Sequence, residues 1–136
     1  MNAPVLRLNL KGDISQVREA AGQVQEFLLC HRCSEQARAD CELAMVEGCN
    51  NAIKHRPPGS PLQPVILEVT IEHGHVELRI TDHGPGFNWP QKLELPAPER
   101  ESGRGLYLIR RLMDSASYVR GPDRNVLVLR KKLAPK

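Results

Sequence analysis

Residues 43–55 read LAMVEGCNNAIKH, and their spacing predicts a helix with one distinctive polar stripe. Glu47 and Asn51 stand four positions apart, so a helix places a carboxylate and a carboxamide on one face, one turn apart. His55 extends the same stripe by another turn. Oxygen ligands arranged this way suit a magnesium–phosphate site, and an ordinary polar helix surface has the same composition. The meaning of the pair therefore depends on the rest of the chain.

Hydrophobic periodicity predicts three helices and five strands around this stretch. The predicted segments, in chain order, are strand Val5–Leu10, a helix capped by Asp13 to about Leu29, a helix capped by Ser34 to about Lys54, strands Val65–Glu72 and Val76–Asp82, a helix opening at Gly103, and strands Ser117–Arg120 and Val126–Leu133. This order predicts an α/β (α+β) two-layer sandwich, with a mixed β-sheet and three main helices on one face. The length of 136 residues suits a single domain spanning 1–136.

The central helix also has a stripe of small residues, and it holds two of the four cysteines. The stripe comprises Ala37, Cys41, Ala44 and Gly48, and small side chains permit close approach to a sheet or leave room for a ligand such as a nucleotide. Cys30 and Cys33 form a lone C-x-x-C, whereas structural zinc needs a second ligand pair. The cysteines are therefore predicted to be reduced, with Cys41 and Cys49 serving as small core residues.

The composition and net charge of the chain argue against several classes of protein. The apolar fraction of 40%, the charged fraction of 26% and the formal charge of +3 describe a soluble globular protein. No lysine or arginine run suggests direct nucleic-acid binding. No apolar stretch is long enough for a membrane span, and the first residues lack a signal-peptide pattern. The expected location is the cytoplasm.

Two glycine-containing segments lie downstream of the polar stripe. Asp82 begins D-x-G-x-G-F at a strand end, and it has the parity of the apolar residues before it, so it points toward the buried side. Gly84 and Gly86 let the backbone turn sharply and approach a ligand closely. Residues 103–105, Gly-Arg-Gly, open a helix whose N-terminal amides attract phosphate. Residues 83–102 form a long, proline-rich loop of the kind that is functional or disordered.

The ordered set E-x-x-x-N, D-x-G-x-G-F and G-x-G-L resembles the Bergerat-fold (GHKL, HATPase_c-like) ATPases. The chain's length narrows the resemblance to the small anti-sigma factor serine/threonine protein kinases. That resemblance implies ATP and Mg²⁺ as cofactors and a role in a partner-switching regulatory module. It also implies a STAS-domain anti-anti-sigma protein as substrate, a sigma factor or other output protein as a second partner, and a possible homodimer.

The resemblance implies a role for each matching residue. The roles are magnesium binding for Asn51, general base for Glu47, adenine recognition for Asp82, shaping of the adenine pocket for Gly84 and Gly86, phosphate binding for Gly103, Arg104 and Gly105, and ligand contact or helix capping for His55. Residues 83–102 would form the ATP lid. One departure is Glu101, which occupies a place where some family members have an arginine; Arg100 and Arg104 lie nearby.

Two further functions stay open at this point. One is a non-catalytic nucleotide-binding module that sequesters a sigma factor or another partner, which Glu101 favours and the complete Glu47/Asn51 pair disfavours. The other is the detached ATPase domain of a histidine kinase, which the carboxylate at position 47 disfavours. The sequence names neither the output partner nor the upstream signal.

Overall fold

In the part of the chain that the structure describes, the strands form one five-stranded sheet, in which the first, second, third, fifth and fourth strands along the chain follow one another. A computed structural model describes residues 3–11, 14–54, 64–84 and 104–133. Their elements are β1 Val5–Leu10, α1 Ile14–Cys30, α2 Glu35–Lys54, β2 Val65–Glu72, β3 His75–Asp82, α3 Arg104–Leu112, β4 Ser115–Arg120 and β5 Asn125–Lys132. The predicted order of elements is confirmed. None of the described helices is long and apolar enough to cross a membrane.

The prediction of a mixed sheet is wrong, because every pairing among the described strands is antiparallel. Two helices connect β1 to β2, so the chain crosses the sheet twice and returns running opposite to β1. A single helix lies between β3 and β4, and such a crossover leaves these two strands running the same way. They would pair in parallel if they were neighbours, but β5 lies between them. The observed architecture is therefore an α+β sandwich.

Local capping sets the ends of the first two helices. Ser34 Oγ accepts a hydrogen bond from the Ala37 amide at 3.1 Å, which confirms Ser34 as the cap of α2. At the end of α1, Arg32 adopts a left-handed conformation with φ of 62°, and the Cys33 amide donates to Leu28 O at 3.0 Å. This geometry satisfies a carbonyl that the last helical turn leaves unpaired. The predicted Asp13 cap lies outside the described residues.

The helices cover one face of the sheet, and the hydrophobic core lies between the two layers. Alternate residues of the three central strands supply the sheet side, and buried residues of each helix supply the other. The largest fully buried side chains are Leu28, Met45, Leu67, Leu78, Ile80, Ile109, Leu129, Val17, Val24, Val65, Val69 and Val76. Burial of this apolar surface stabilises the sandwich by about 25 cal/mol per Å² removed from water.

The small stripe of α2 serves the sheet. A Cβ atom added to Gly48 would lie 2.5 Å from Ile80 Cδ1 and 3.2 Å from Leu127 Cδ2. The absence of that side chain therefore lets α2 lie directly on β3 and β5. The interpretation of Gly48 as room for a nucleotide is wrong, since its Cβ direction points into the sheet, and the alternative of close approach to the sheet is confirmed.

Lys131 joins the C-terminal end of α3 to α2 and β5. Its Nζ donates to Leu112 O at 2.7 Å and lies 2.9 Å from Asp40 Oδ2. The side chains of Lys131 and Asp40 are only 20% and 12% exposed. A cation at this place satisfies a terminal carbonyl and interacts favourably with the negative end of the helix dipole. This contact fixes the far end of α3.

Candidate functional site

The first turn of α3 lies directly against the polar stripe of α2. A Cβ atom added to Gly105 would lie 2.6 Å from Glu47 Oε2 and 3.5 Å from Asn51 Nδ2. Glu47 and Asn51 are both partly buried. The four-residue spacing therefore does place these side chains on one face, and that face meets the start of the glycine-containing helix. Three of the predicted site residues come together here.

This contact has a definite electrostatic character. The first amides of a helix have no partner within the helix, and its N-terminus has a partial positive charge. The structure thus places a carboxylate and a carboxamide beside a set of backbone donors, at a residue without a side chain. Such a combination suits an anionic ligand with a bound cation, since amides contact phosphate oxygens and a carboxamide oxygen is a hard metal ligand.

Asp82 ends β3 and is only 7% exposed. Its inward orientation, predicted from strand parity, is confirmed. Asp82 Oδ1 accepts two hydrogen bonds, from the Gly84 amide at 3.0 Å and from Asn125 Nδ2 at 3.0 Å. The same Nδ2 donates to Gly84 O at 2.8 Å. Neither of these two donors bonds to the other carboxylate oxygen of Asp82, Oδ2.

Asp82 lies two residues beyond the point at which β3 contacts α2. Ile80 contacts the position of Gly48, next to Glu47 on the helix. Asp82 follows Ile80 by two residues on the same face of β3, which corresponds to roughly 6.6 Å along the strand. The buried carboxylate therefore lies one step beyond the contact between α2 and the sheet.

Asn125 is the site residue that sequence reasoning missed. It begins β5, is 1% exposed, and is the direct cross-strand partner of Asp82. The sequence-based boundary placed Asn125 in the turn before a strand at Val126. Its parity matches that of the buried Leu127 and Leu129. If the predicted strand had begun one residue earlier, its alternation would have predicted an inward direction for Asn125, as it did for Asp82.

Several predicted site residues lie outside the described residues. They are His55, Gly86 and Gly103, together with residues 85–102 of the predicted lid, which include Arg100 and Glu101. Arg104 is the first residue of α3, and only its backbone is described. The roles assigned to these residues stay predictions.

The cysteines of α2 belong to the core. Cys41 and Cys49 are fully buried, as predicted, and Cys33 is also buried, whereas Cys30 is exposed. Burial raises the pKa of Cys41 and of Cys49 to about 12, from an ordinary value of 9.0. A thiol that stays protonated is a poor nucleophile and metal ligand. These two residues therefore act as small hydrophobic side chains.

Comparison with known proteins identifies the class to which this fold and site belong. The family of histidine kinase-like ATPase domains matches residues 10–131. The chain belongs to this family, which confirms the resemblance inferred from the three motifs.

Named relatives narrow the comparison. The serine/threonine-protein kinase BtrW of Bordetella bronchiseptica is 27% identical over 142 residues, covering 99% of both chains. The serine-protein kinase RsbW of Bacillus pumilus is 28% identical over 121 residues, covering 81% of this chain and 66% of the relative. The solved RsbU and RsbW domains of a Mycobacterium tuberculosis protein superpose with a TM-score of 0.74 at 19% identity. That superposition covers 98% of this chain and 33% of the other, and it shows a shared fold.

Proposed function

We propose that this chain is an ATP-dependent serine/threonine protein kinase that acts as an anti-sigma factor in a partner-switching module. The contact between Glu47, Asn51 and Gly105 is the observation that supports this most directly. It sets a carboxylate, suited to accept a proton, beside a helix N-terminus suited to bind phosphates. The likeness to the kinases named BtrW and RsbW supports the same activity, and the pairing of Asp82 with Asn125 supports adenine as the base.

The proposed reaction divides the work among these residues. Asp82 accepts a hydrogen bond from the adenine amine, and the α3 amides bind the phosphates. Glu47 takes the proton of a serine or threonine hydroxyl as its oxygen bonds to the γ-phosphorus. The bond from the γ-phosphorus to the β–γ bridging oxygen breaks, and ADP leaves with the electron pair. Such a base contributes about 10²–10⁴-fold, and positioning supplies much of the remainder.

Asn51 is the proposed magnesium ligand. Its carboxamide faces the first turn of α3, where the missing side chain of Gly105 lets Glu47 and Asn51 come close to the start of the helix. Mg²⁺ in nucleotide sites is held by one or two protein oxygens together with substrate phosphates, so a single carboxamide is sufficient on the protein side. When bound, the ion supplies neutralisation of the phosphate charge.

The proposed partners follow from the same likeness. They are a STAS-type anti-anti-sigma protein as the phosphate acceptor and a sigma factor or other output protein as the sequestered partner. A homodimer, a single domain over residues 1–136 and a cytoplasmic location complete the proposal.

Two pairs of variants test the roles of Glu47 and Asn51. Glu47→Gln is expected to bind ATP normally and to lose at least about 100-fold in transfer of γ-phosphate to a STAS substrate. Glu42→Gln, on the same helix, is the control and should retain transfer. Asn51→Ala should lose the magnesium-dependent part of ATP affinity in calorimetry. Its control is the adjacent Asn50→Ala, because Asn50 lines a cavity toward α1 with Val17 and Val46.

The outcomes separate the proposed kinase from its alternative. Transfer at the wild-type rate by Glu47→Gln would remove Glu47 from the base role. Tight ATP binding by the wild type without transfer to any serine or threonine acceptor would favour a nucleotide-binding module that sequesters its partner.

A further inference from the structure

We propose that Asn125 is a positioning residue that sets the selectivity for adenine, by holding Asp82 so that one carboxylate oxygen faces the base. This inference rests on the proposed function, in which Asp82 accepts the adenine amine. It adds a residue, outside all three sequence motifs, whose side-chain amide is described as donating to the aspartate and to the first glycine of the D-x-G-x-G segment.

The hydrogen bonds determine the orientation of the Asn125 amide. Its terminal nitrogen lies 3.0 Å from Asp82 Oδ1 and 2.8 Å from Gly84 O, and both of these atoms are acceptors. An amide turned the other way would place its oxygen against two acceptors, so the NH₂ group must face them. Asn125 thus donates both amide protons into this cluster.

The cluster restrains the carboxylate in one rotamer. Without a partner, rotation about the terminal torsion of an aspartate is broad. Here the Gly84 amide and Asn125 Nδ2 both donate to Oδ1, which leaves Oδ2 as the oxygen for a ligand. Hydrogen bonds to a buried charged group are stronger than those between neutral groups. The bond to Gly84 O also ties the first turn of the D-x-G-x-G segment to β5.

The backbone fixes Asn125 equally well. Asn125 is paired with Asp82 at the end of the β3–β5 ladder, and it is 1% exposed. The β4–β5 turn closes just before it, where the Gly121 amide donates to Arg124 O at 2.8 Å. A Cβ atom on Gly121 would lie 2.8 Å from that same oxygen, so the turn requires glycine. The position of Asn125 is therefore set by register and turn before any ligand binds.

Paired ligands test this role without any measurement of catalysis. The probes are ATP and purine riboside triphosphate, which lacks the 6-amino group, with Kd measured by calorimetry. The wild type is expected to prefer ATP by about tenfold, since an unpaired buried acceptor weakens binding of the analogue that lacks the amino group. Asn125→Ala should lower this preference to about twofold or less, while its Kd for the analogue changes by less than about twofold.

Controls separate positioning from folding. Asn125→Thr supplies one donor toward Asp82 and should recover part of the preference for ATP. If Asn125→Ala does not fold, the threonine variant tests the same role. Asn9→Ala, an exposed asparagine on β1, should leave both Kd values unchanged. Equal weakening of both ligands in folded Asn125→Ala would overturn the inference and leave the kinase proposal intact. A wild type that binds both ligands equally would overturn the adenine role of Asp82 and this inference together, and absence of ATP binding would overturn the proposed function itself.

Discussion

Substitution of Gly105 by alanine should slow phosphate transfer without lowering the stability of the fold. The new Cβ atom would lie 2.6 Å from Glu47 Oε2, whereas ordinary contacts begin at 3.4 Å. Glu47 has a flexible side chain, so its carboxylate moves by roughly 0.8 Å and the helix does not. Misplacement of a catalytic group by about 1 Å can cost about 100-fold in rate. We therefore expect single-turnover transfer to a STAS substrate, at saturating ATP, to fall by about 10- to 100-fold.

The effect on stability should be small or favourable. Alanine is a better helix former than glycine by about 1 kcal/mol in a helix interior, and by less in the first turn. The contact with Asn51 Nδ2 would be 3.5 Å, which needs no adjustment. Urea unfolding of Gly105→Ala should therefore give a midpoint equal to or above that of the wild type.

Gly22→Ala is the matched control for the glycine-to-alanine change. Gly22 is exposed on α1, and nothing lies within 4 Å of its added Cβ atom. This variant should gain up to about 1 kcal/mol in stability and transfer phosphate at the wild-type rate. Transfer at the wild-type rate by Gly105→Ala would refute the assignment of Glu47 as base. A fall in the transfer rate together with a lower urea midpoint would refute the claim that the variant affects transfer and not stability.

The remaining predictions concern the core and its charges. Gly48→Ala should lose about 1–3 kcal/mol in urea unfolding, because its Cβ overpacks the contact between α2 and the sheet. Lys131→Met should lose about 2–3 kcal/mol by leaving a mostly buried carboxylate and a helix carbonyl unpaired; Arg130→Met, which breaks a more exposed ion pair, should lose less than about 1 kcal/mol. Because folding raises the pKa of Cys41 and Cys49, the stability from their neutral thiols is present below pH 9.0 and is lost as pH rises toward about 12. The free energy of unfolding, measured with urea at increasing alkaline pH, should show this decline. Its fall per pH unit should be about half as steep in Cys49→Ala, and an unchanged slope in that variant would contradict the prediction.

Local patterns predicted the elements well, because each element depends on nearby residues. The strand β2, Val65–Glu72, was predicted at its observed bounds from simple alternation. The serine cap of α2 was predicted from residue type and position, and the structure shows its hydrogen bond. The inward direction of Asp82 followed from counting residues along one strand. Each of these inferences uses only the period of one helix or strand.

The parts that were missed depend on residues distant in sequence. The local sequences of the strands are compatible with several pairings. The position of β5 between β3 and β4 depends on the packing of the whole sheet. Asn125, the partner of Asp82, is separated from it in sequence by α3 and β4, so no local pattern links the two. The direction of Gly48 into the sheet likewise depends on where Ile80 and Leu127 lie.

The position of β1 has a consequence for the order in which the chain folds. Within the sheet that the structure describes, β1 is an edge strand that pairs with β2 alone, and the whole α1–α2 hairpin separates the two in sequence. The β2–β3 and β4–β5 hairpins close over short turns, so their loop-closure entropy is low and they can form early. Pairing of β1 with β2 closes a loop that contains both helices, so we expect β1 to join the sheet after these hairpins. The backbone amides of β1 should therefore exchange hydrogen with solvent through local openings that leave β3 and β5 protected. The least stable part of the sheet is then the β1 edge, opposite β4.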